Sequence, residues 1–318
     1  MSRSPGRVIL FVNLPIVFPS KFPKLRPDMK SLKLLIFTSF LMLLFAASCN
    51  KANVTPSTKT GTTLVIVSDN EPSSEIIVGI CGAVRSVNPS MEVQFYQSKA
   101  FDIPQGAYLL YYVMLNYPKG TYIAGILEPG VSSKRIVYKA DDDFILAPDN
   151  MLSTRIFNYS PVSQCYFIDN PAVLQGAQPS TLSFEEFYKR AIISLISGTS
   201  LSTFGSVCQN PQKFTVQEPL LWKDTIKGEV LFVDNFGNCT TNIPQSLTSN
   251  IPLGTVYKLM SDTTTLSIVL GVNYSSVPTG NNVCFINSSQ RLELSINMGN
   301  FSEKYHMVAN SKVFMKRN

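Results

Sequence analysis

The run TTLVIVSD, Thr62–Asp69, decides the fold, together with SEIIVGICGAVRSV, Ser74–Val87, and MEVQFY, Met91–Tyr96. The first is apolar, rich in β-branched residues, and ends in an acid. That is the pattern of a parallel strand buried on both faces. In the second, Ile76, Ile77, Ile80, Val84 and Val87 recur at helical spacing, and Asn88-Pro89 closes the run. The third reads as another strand. PQGAYLLYYVMLNY predicts a second helix, with Pro104 at its start and Pro118 beyond its end. TYIAGILE, Thr121–Glu128, predicts a third strand that also ends in an acid. Strands alternating with helices make an α/β domain with a largely parallel sheet. Ligands of such sheets sit at the carboxyl ends of the strands, so Asp69 and Glu128 are candidate site residues by position alone.

Further along, FEEFYKRAIISLISG, Phe184–Gly198, predicts an amphipathic helix ended by glycine. A weakly patterned stretch follows to about Lys227. Then come seven short strand-like runs: GEVLFVD, CTTNI, VYKLMS, TLSIVLGV, NVCFINS, RLELSIN and KVFMK. They predict a compact all-β domain, a small barrel. The expected organisation is an α/β domain over 62–205, a linker over 206–227 and a barrel over 228–318. The turn VDNFGNCTTNI, Val233–Ile243, carries Asp234, Asn235 and Asn238, more polar side chains than a hairpin turn needs. No GxGxxG or GxxxxGK[ST] pattern occurs, so nucleotide phosphates are not the expected ligand.

The chain has a formal charge of +6, and the excess is localised. Arg3, Arg7, Lys21, Lys24, Arg26, Lys30 and Lys33 face only Asp28 in the first 48 residues; the remainder is neutral. Nothing here points to nucleic acid. MKSLKLLIFTSFLMLLFAASCNK, from Met29, has two lysines, an apolar run and a small-residue site, the layout of a signal peptide. The run is shorter than the roughly 20 residues a membrane span needs. A cysteine directly after AAS resembles a bacterial lipoprotein signal. Residues 29–48 are therefore the expected signal, Cys49 the expected lipidated residue and 49–61 a polar tether. The protein is expected to be exported and lipid-anchored to a bacterial membrane, on its periplasmic or cell-surface side. Residues 1–28 precede an alternative start at Met29 and are expected outside the mature fold.

Five further cysteines, Cys81, Cys165, Cys208, Cys239 and Cys284, form no CxxC pair. Buried thiols are the expectation, with one or two disulfides the alternative in an exported protein. The chain has a single histidine, His306. Multi-histidine metal sites are therefore excluded, and no metal is expected.

Seven segments, in order and across both domains, resemble the S-adenosyl-L-methionine (SAM) hydroxide adenosyltransferase family, which is related to the SAM-dependent chlorinases and fluorinases. Ser68-Asp69-Asn70-Glu71 keeps only the acid of the family's TDFG. IVGICGA resembles YVGxMKG, and QGAYLLYYVMLNYPKGT resembles QAAFLL…YFPKGT. LEPGVSSKRI resembles VDPGVGTERR, and APDNMLS resembles GPDNGLL. DNFGNCTTNI resembles DRFGNxxTNI, and NSSQRLELSINMGNF resembles NSxGxLEIAxNxGNA. The resemblance implies an α/β domain followed by a β-barrel, and a homotrimer with SAM between neighbouring subunits. It also implies hydrolysis of SAM to adenosine and methionine. SAM is then the substrate, and no separate cofactor is expected.

By the same resemblance, Asp69 accepts hydrogen bonds from the ribose diol and Asp234 faces the methionine ammonium. Asn238 reads the adenine or holds the methionine end. Ser288 and Ser289 donate to the carboxylate or the adenine, and Tyr117 packs against the nucleoside. Each also has a plain structural reading: a helix cap for Asp69, an Asx-turn for Asp234 and Asn238, a loop pair for the serines, a core ring for Tyr117. Glu293 and Asn297 match the last motif but are equally explained by a strand and its cap. Around the attacking water, Glu128 stands at the family's Asp position and Arg135 at its Arg position. The family's histidines fall on Ser183 and Gln97. Serine takes up no proton near neutral pH as imidazole does, so a catalytically weak nucleoside- or SAM-binding lipoprotein is the alternative to an enzyme.

Overall fold

The computed structural model describes residues 63–128, 134–262 and 264–317. The expected signal, Cys49 and the tether lie outside these residues, as do 129–133 of the LEPGVSSKRI segment. Among the described residues no helix is long and apolar enough to cross a membrane.

The N-terminal domain is a six-stranded sheet of β1 (Thr63–Ser68), β2 (Glu92–Gln97), β3 (Tyr122–Ile126), β4 (Arg135–Ala140), β5 (Asp143–Pro148) and β6 (Val162–Phe167), in the order β2-β1-β3-β5-β4-β6. β1 pairs in parallel with β2 and β3, and β3 with β5; β4 runs antiparallel to β5 and β6. The expected strands and helices are present: α1 (Glu75–Val87), α2 (Ile103–Asn116) and α4 (Phe184–Ile196), with a short α3 (Thr154–Tyr159) between the last two. The β4–β5 hairpin was not separated in sequence because its turn has no glycine. Asp141 supplies the left-handed residue there, at φ 49°.

Successive residues of β1 serve opposite faces. Leu64 and Ile66 join α1 and α4 in one core, while Val65 and Val67 join α2 in the other. That two-sided burial explains the unbroken apolar run. Ser74 caps α1, accepting from the Ile77 amide at 3.4 Å, and Asp102 caps α2, accepting from the Gln105 amide at 3.0 Å.

The seven strand-like runs of the C-terminal part become β8 (Thr225–Val233), β9 (Cys239–Pro244), β10 (Val256–Met260), β11 (Thr265–Leu270), β12 (Asn282–Ile286), β13 (Arg291–Ile296) and β14 (Lys312–Arg317). β14 pairs with both β10 and β8, which closes the barrel. A short helix α5 (Phe301–Tyr305) precedes β14. The expected linker is not an open connection. It contains β7 (Leu220–Trp222), a hairpin partner of β8 outside the closed ring, and the Gln212 amide donates to Asp149 at 2.7 Å. Across the described residues Cys81, Cys165, Cys208, Cys239 and Cys284 are free thiols, all but Cys81 buried.

The two domains are joined through polar groups buried between them. Gln105 of α2 accepts from the Val233 amide of β8 at 3.1 Å. Arg155 of α3, 2% exposed, donates to the Glu229 carboxylate of β8 at 2.8 Å, and that side chain is fully buried. The other Glu229 oxygen accepts from the Gln217 amide and Lys312. Removing one partner of a buried pair strands a charge, at a cost of about 3–5 kcal/mol, whereas replacing the pair by apolar groups is often neutral. Arg155→Ala is expected to lower the unfolding free energy by about that much in urea titrations. Arg155→Met combined with Glu229→Leu is expected to lose much less.

Candidate active site between the two domains

A cleft of about 910 Å³ opens between the domains of one chain. Asp69 and Ser98 line it from the carboxyl ends of β1 and β2, Asp234 from the turn after β8, and His306 from the end of α5. Asp69 does not cap the following helix, since Ser74 does; its carboxylate accepts from the Phe101 amide at 3.1 Å and holds the loop that leads into α2. Ser98 is 4% exposed and its hydroxyl has no hydrogen-bond partner. An unmet buried hydroxyl costs about 1–3 kcal/mol, which a bound ligand with a polar edge would offset. Glu71 and Glu303 also line the cleft, so four carboxylates face Lys99 and His306. The field favours a cationic ligand.

The turn Val233–Ile243 is built around Asp234. One carboxylate oxygen accepts from the Phe236 and Asn238 amides at 2.9 and 2.8 Å, and the other from the Asn238 side chain at 2.9 Å. Gly237 holds φ at 81°, and a Cβ there would meet Asn300 Oδ1 at 1.7 Å. Asn238 also donates to the Tyr274 hydroxyl at 3.2 Å, which donates to Glu293 at 2.8 Å; Asn287 donates to the other Glu293 oxygen at 3.1 Å. Burial and then the Glu293 hydrogen bond raise the Tyr274 phenol pKa. The Asx-turn reading of Asp234 thus holds, and the same side chain lines the cleft. The turn hydrogen bonds fix the carboxylate, and a carboxylate has room for about four donors.

Other candidates are placed elsewhere. Asn238 stands behind Asp234, does not line the cleft, and is 7% exposed. Ser289, in the β12–β13 turn, meets the Tyr112 hydroxyl of α2 at 3.4 Å, and Ser288 beside it is exposed. Tyr117 caps the end of α2, with its hydroxyl 2.7 Å from that of Tyr96. Burial and that hydrogen bond push its pKa up to about 12. Ser183 is the N-cap of α4, accepting from the Glu186 amide at 3.3 Å, and is exposed.

Glu128 and Arg135 are brought together, but not in the cleft. Arg135 grips both Glu128 oxygens at 2.8 Å, and the Tyr188 hydroxyl donates to one of them at 2.6 Å. The guanidinium lies 4.5 Å from the Phe187 ring centroid, and the Glu128 side chain has no exposed surface. Burial, then the Glu128 charge, drives the Tyr188 phenol well above its usual range. Burial alone lowers the Arg135 pKa; the Glu128 hydrogen bond and charge outweigh it, and the net direction is up. Tyr188 was not singled out in sequence. Its helical register, one residue after Phe187 on the buried face of α4, was the available signal.

An α/β domain and a closed barrel, with a carboxylate-rich cleft between them, define the class as a two-domain α/β-plus-barrel protein. The comparisons are more specific. The SAM hydroxide adenosyltransferase N-terminal domain model matches residues 64–205 and the C-terminal domain model residues 228–314. The chain belongs to the SAM hydroxide adenosyltransferase family. A (R)-S-adenosyl-L-methionine hydrolase of Thermus thermophilus is 25% identical over 210 residues, 64% of this chain and 78% of that protein. One of Methanocaldococcus jannaschii is 23% identical over 214 residues, 65% and 76% of the two chains. An uncharacterized conserved protein from Thermotoga maritima has the same fold, with TM-score 0.69, 22% identity and coverage of 80% of this chain and 100% of that one. A conserved hypothetical protein from Thermus thermophilus does too, with TM-score 0.61, 18% identity and coverage of 80% and 99%.

Glu128→Ala leaves the Arg135 guanidinium without its partner and is expected to cost about 3–5 kcal/mol of stability in urea titrations. The raised Tyr188 value favours the folded state at pH below the ordinary tyrosine range, and that contribution is lost as pH climbs above about 10. Tyr188→Phe is expected to lose less stability than the parent between pH 9 and 11, read from the same titrations.

Proposed function

We propose that this protein binds SAM, or a related adenosyl compound, in the inter-domain cleft and hydrolyses it to adenosine and L-methionine. The observation that carries the reading is that Asp69 and Asp234, one from each domain, line the same cleft. Its volume is in the range of small-molecule sites. The carboxylate excess suits a ligand with a sulfonium and an ammonium. Asp69 receives the ribose hydroxyls, the Asp234 carboxylate receives the ammonium, and the Ser98 hydroxyl meets a polar edge of the nucleoside. The family membership and the names of the two curated relatives support the substrate class.

In the reaction the water oxygen forms a bond to the ribose C5′ as the C5′–S bond breaks. The bonding pair goes to sulfur, the sulfonium becomes a neutral thioether, and water gives up one proton. Imidazole is the commonest general base, and His306 is the imidazole that lines the cleft; it is the proton acceptor in this reading. Glu128 and Arg135, with Tyr188, tie the segment after β3 and the start of β4 to α4.

A second reading, a SAM- or nucleoside-binding protein with weak or no turnover, is favoured by two observations. Glu128 is sequestered, and the Ser183 hydroxyl is engaged as a helix cap. The proposal also includes export, a lipid anchor at Cys49 and a homotrimer, supported by the signal-like segment and the resemblance. One chain already supplies both Asp69 and Asp234 to a single cleft, so the pairing of these two acids does not need a neighbour.

The test is to incubate the protein with SAM and follow adenosine and methionine by chromatography, with binding by calorimetry. Asp69→Ala is expected to weaken binding about 10–100-fold, the worth of a charge-assisted hydrogen bond. His306→Ala is expected to slow turnover about 10²–10⁴-fold with binding retained. Saturable binding without adenosine release favours the second reading, and the absence of binding refutes both.

A further inference from the structure

The three residues of β7 are all exposed: Leu220 by 51%, Leu221 by 48% and Trp222 by 53%. Neighbouring strand residues point to opposite faces, and β7 is exposed on both, while Ile226 of its partner β8 is buried in the barrel core. Trp222 is the only tryptophan in the sequence. The ammonium groups of Lys223 and Lys227 lie 4.6 and 4.7 Å from its ring centroid. Lys223 and Asp224 form a two-residue turn between paired Trp222 and Thr225. Lys223 holds a left-handed φ of 57° there, a conformation unfavourable for any residue with a Cβ. Lys223 thus puts a cation at the tip of the turn.

The end of β14 adds more charge. Lys316 reaches Asp224 at 3.5 Å, and the Arg317 amide donates to the Asp224 carbonyl at 3.2 Å. The hairpin and the adjoining end of β14 thus carry Lys223, Lys227, Lys316 and Arg317 against one acid, Asp224, a formal sum of +3. Glu218, two residues before β7, accepts from the Tyr159 hydroxyl at 2.9 Å.

We propose that this hairpin docks on an anionic lipid bilayer, with Trp222 and its leucines in the interfacial layer and the lysines among the headgroups. Tryptophan at the interface, with lysine stems laid along apolar surface and charged heads in the polar zone, is the composition of membrane-contacting elements. The cores of protein–protein interfaces are instead depleted in lysine, which argues against a second copy as occupant. The expected lipid at Cys49 would keep the chain at a bilayer surface. A second, cationic contact makes a lipid anchor firmer. The proposal stands on the hairpin's exposure and charge, independently of what the cleft binds.

The lone tryptophan makes the test direct. The full chain is reconstituted into vesicles of phosphatidylcholine alone, or of phosphatidylcholine mixed with phosphatidylglycerol. Trp222 emission is then followed with lipids brominated high on the acyl chain and with aqueous iodide. In the anionic vesicles the emission is expected to shift to the blue, to be quenched by the brominated lipid and to be shielded from iodide. Lys223→Ala with Lys227→Ala is expected to move the docked–undocked equilibrium roughly 30-fold toward undocked, about tenfold or less per lysine. Emission that stays open to iodide and untouched by brominated lipid in both vesicle types overturns the proposal. So does a shift that follows protein density rather than lipid charge, which would assign the surface to a second copy.

Discussion

The ion pair between Arg155 and Glu229 is the constraint on which the rest of the arrangement depends. Each residue belongs to a different domain, and both side chains are out of water. A buried charge has no good alternative to its partner, so the pair admits one seating of α3 against β8. Glu229 lies on the strand that runs straight into Asp234, and Val233 of that strand is held by Gln105 of α2. The seating of the pair therefore sets where the Asp234 turn meets the α/β domain. Lys312 and the Gln217 amide complete the Glu229 shell and draw β14 and the segment before β7 into the same joint.

Acids of similar appearance in sequence do different work because their partners differ. Glu229 is structural, held between domains. Glu128 is closed off by Arg135 and Tyr188. Glu293 is an acceptor in the network behind Asp234. Of the acids named as site candidates, Asp69 and Asp234 open onto the cleft, where Gln97 and Asn235 also lie. Both are oriented by backbone amides, which fixes the carboxylate without using all of its acceptor positions. A rigid acid with spare acceptor capacity suits a ligand rich in hydroxyl and ammonium donors.

The molecule also separates its apolar exposure from its polar cleft. The cleft is lined by carboxylates, amides and hydroxyls, while β7 carries three consecutive exposed apolar side chains beside a cluster of cations. The two surfaces select for opposite charge.

Much of this was legible in the sequence. The βαβ opening follows from apolar runs of the right length and period. The seven barrel strands were each visible between turn residues, and family motifs named Asp69 and Asp234. These are local signals: the period of a strand or helix is written in residues a few positions apart. What the sequence could not show is which side chains meet. The 58 positions between Ser68 and Ile126, joined by a 2.6 Å hydrogen bond, or the 74 between Arg155 and Glu229, leave no local trace. Glu128 looked like a catalytic acid until burial and two partners closed it, and Ser183 stood at a histidine position but serves as a helix cap. The residue types and their spacing determined the two domains; only tertiary packing decided which acids reach solvent, because burial and pairing depend on neighbours that the chain brings together over long separations.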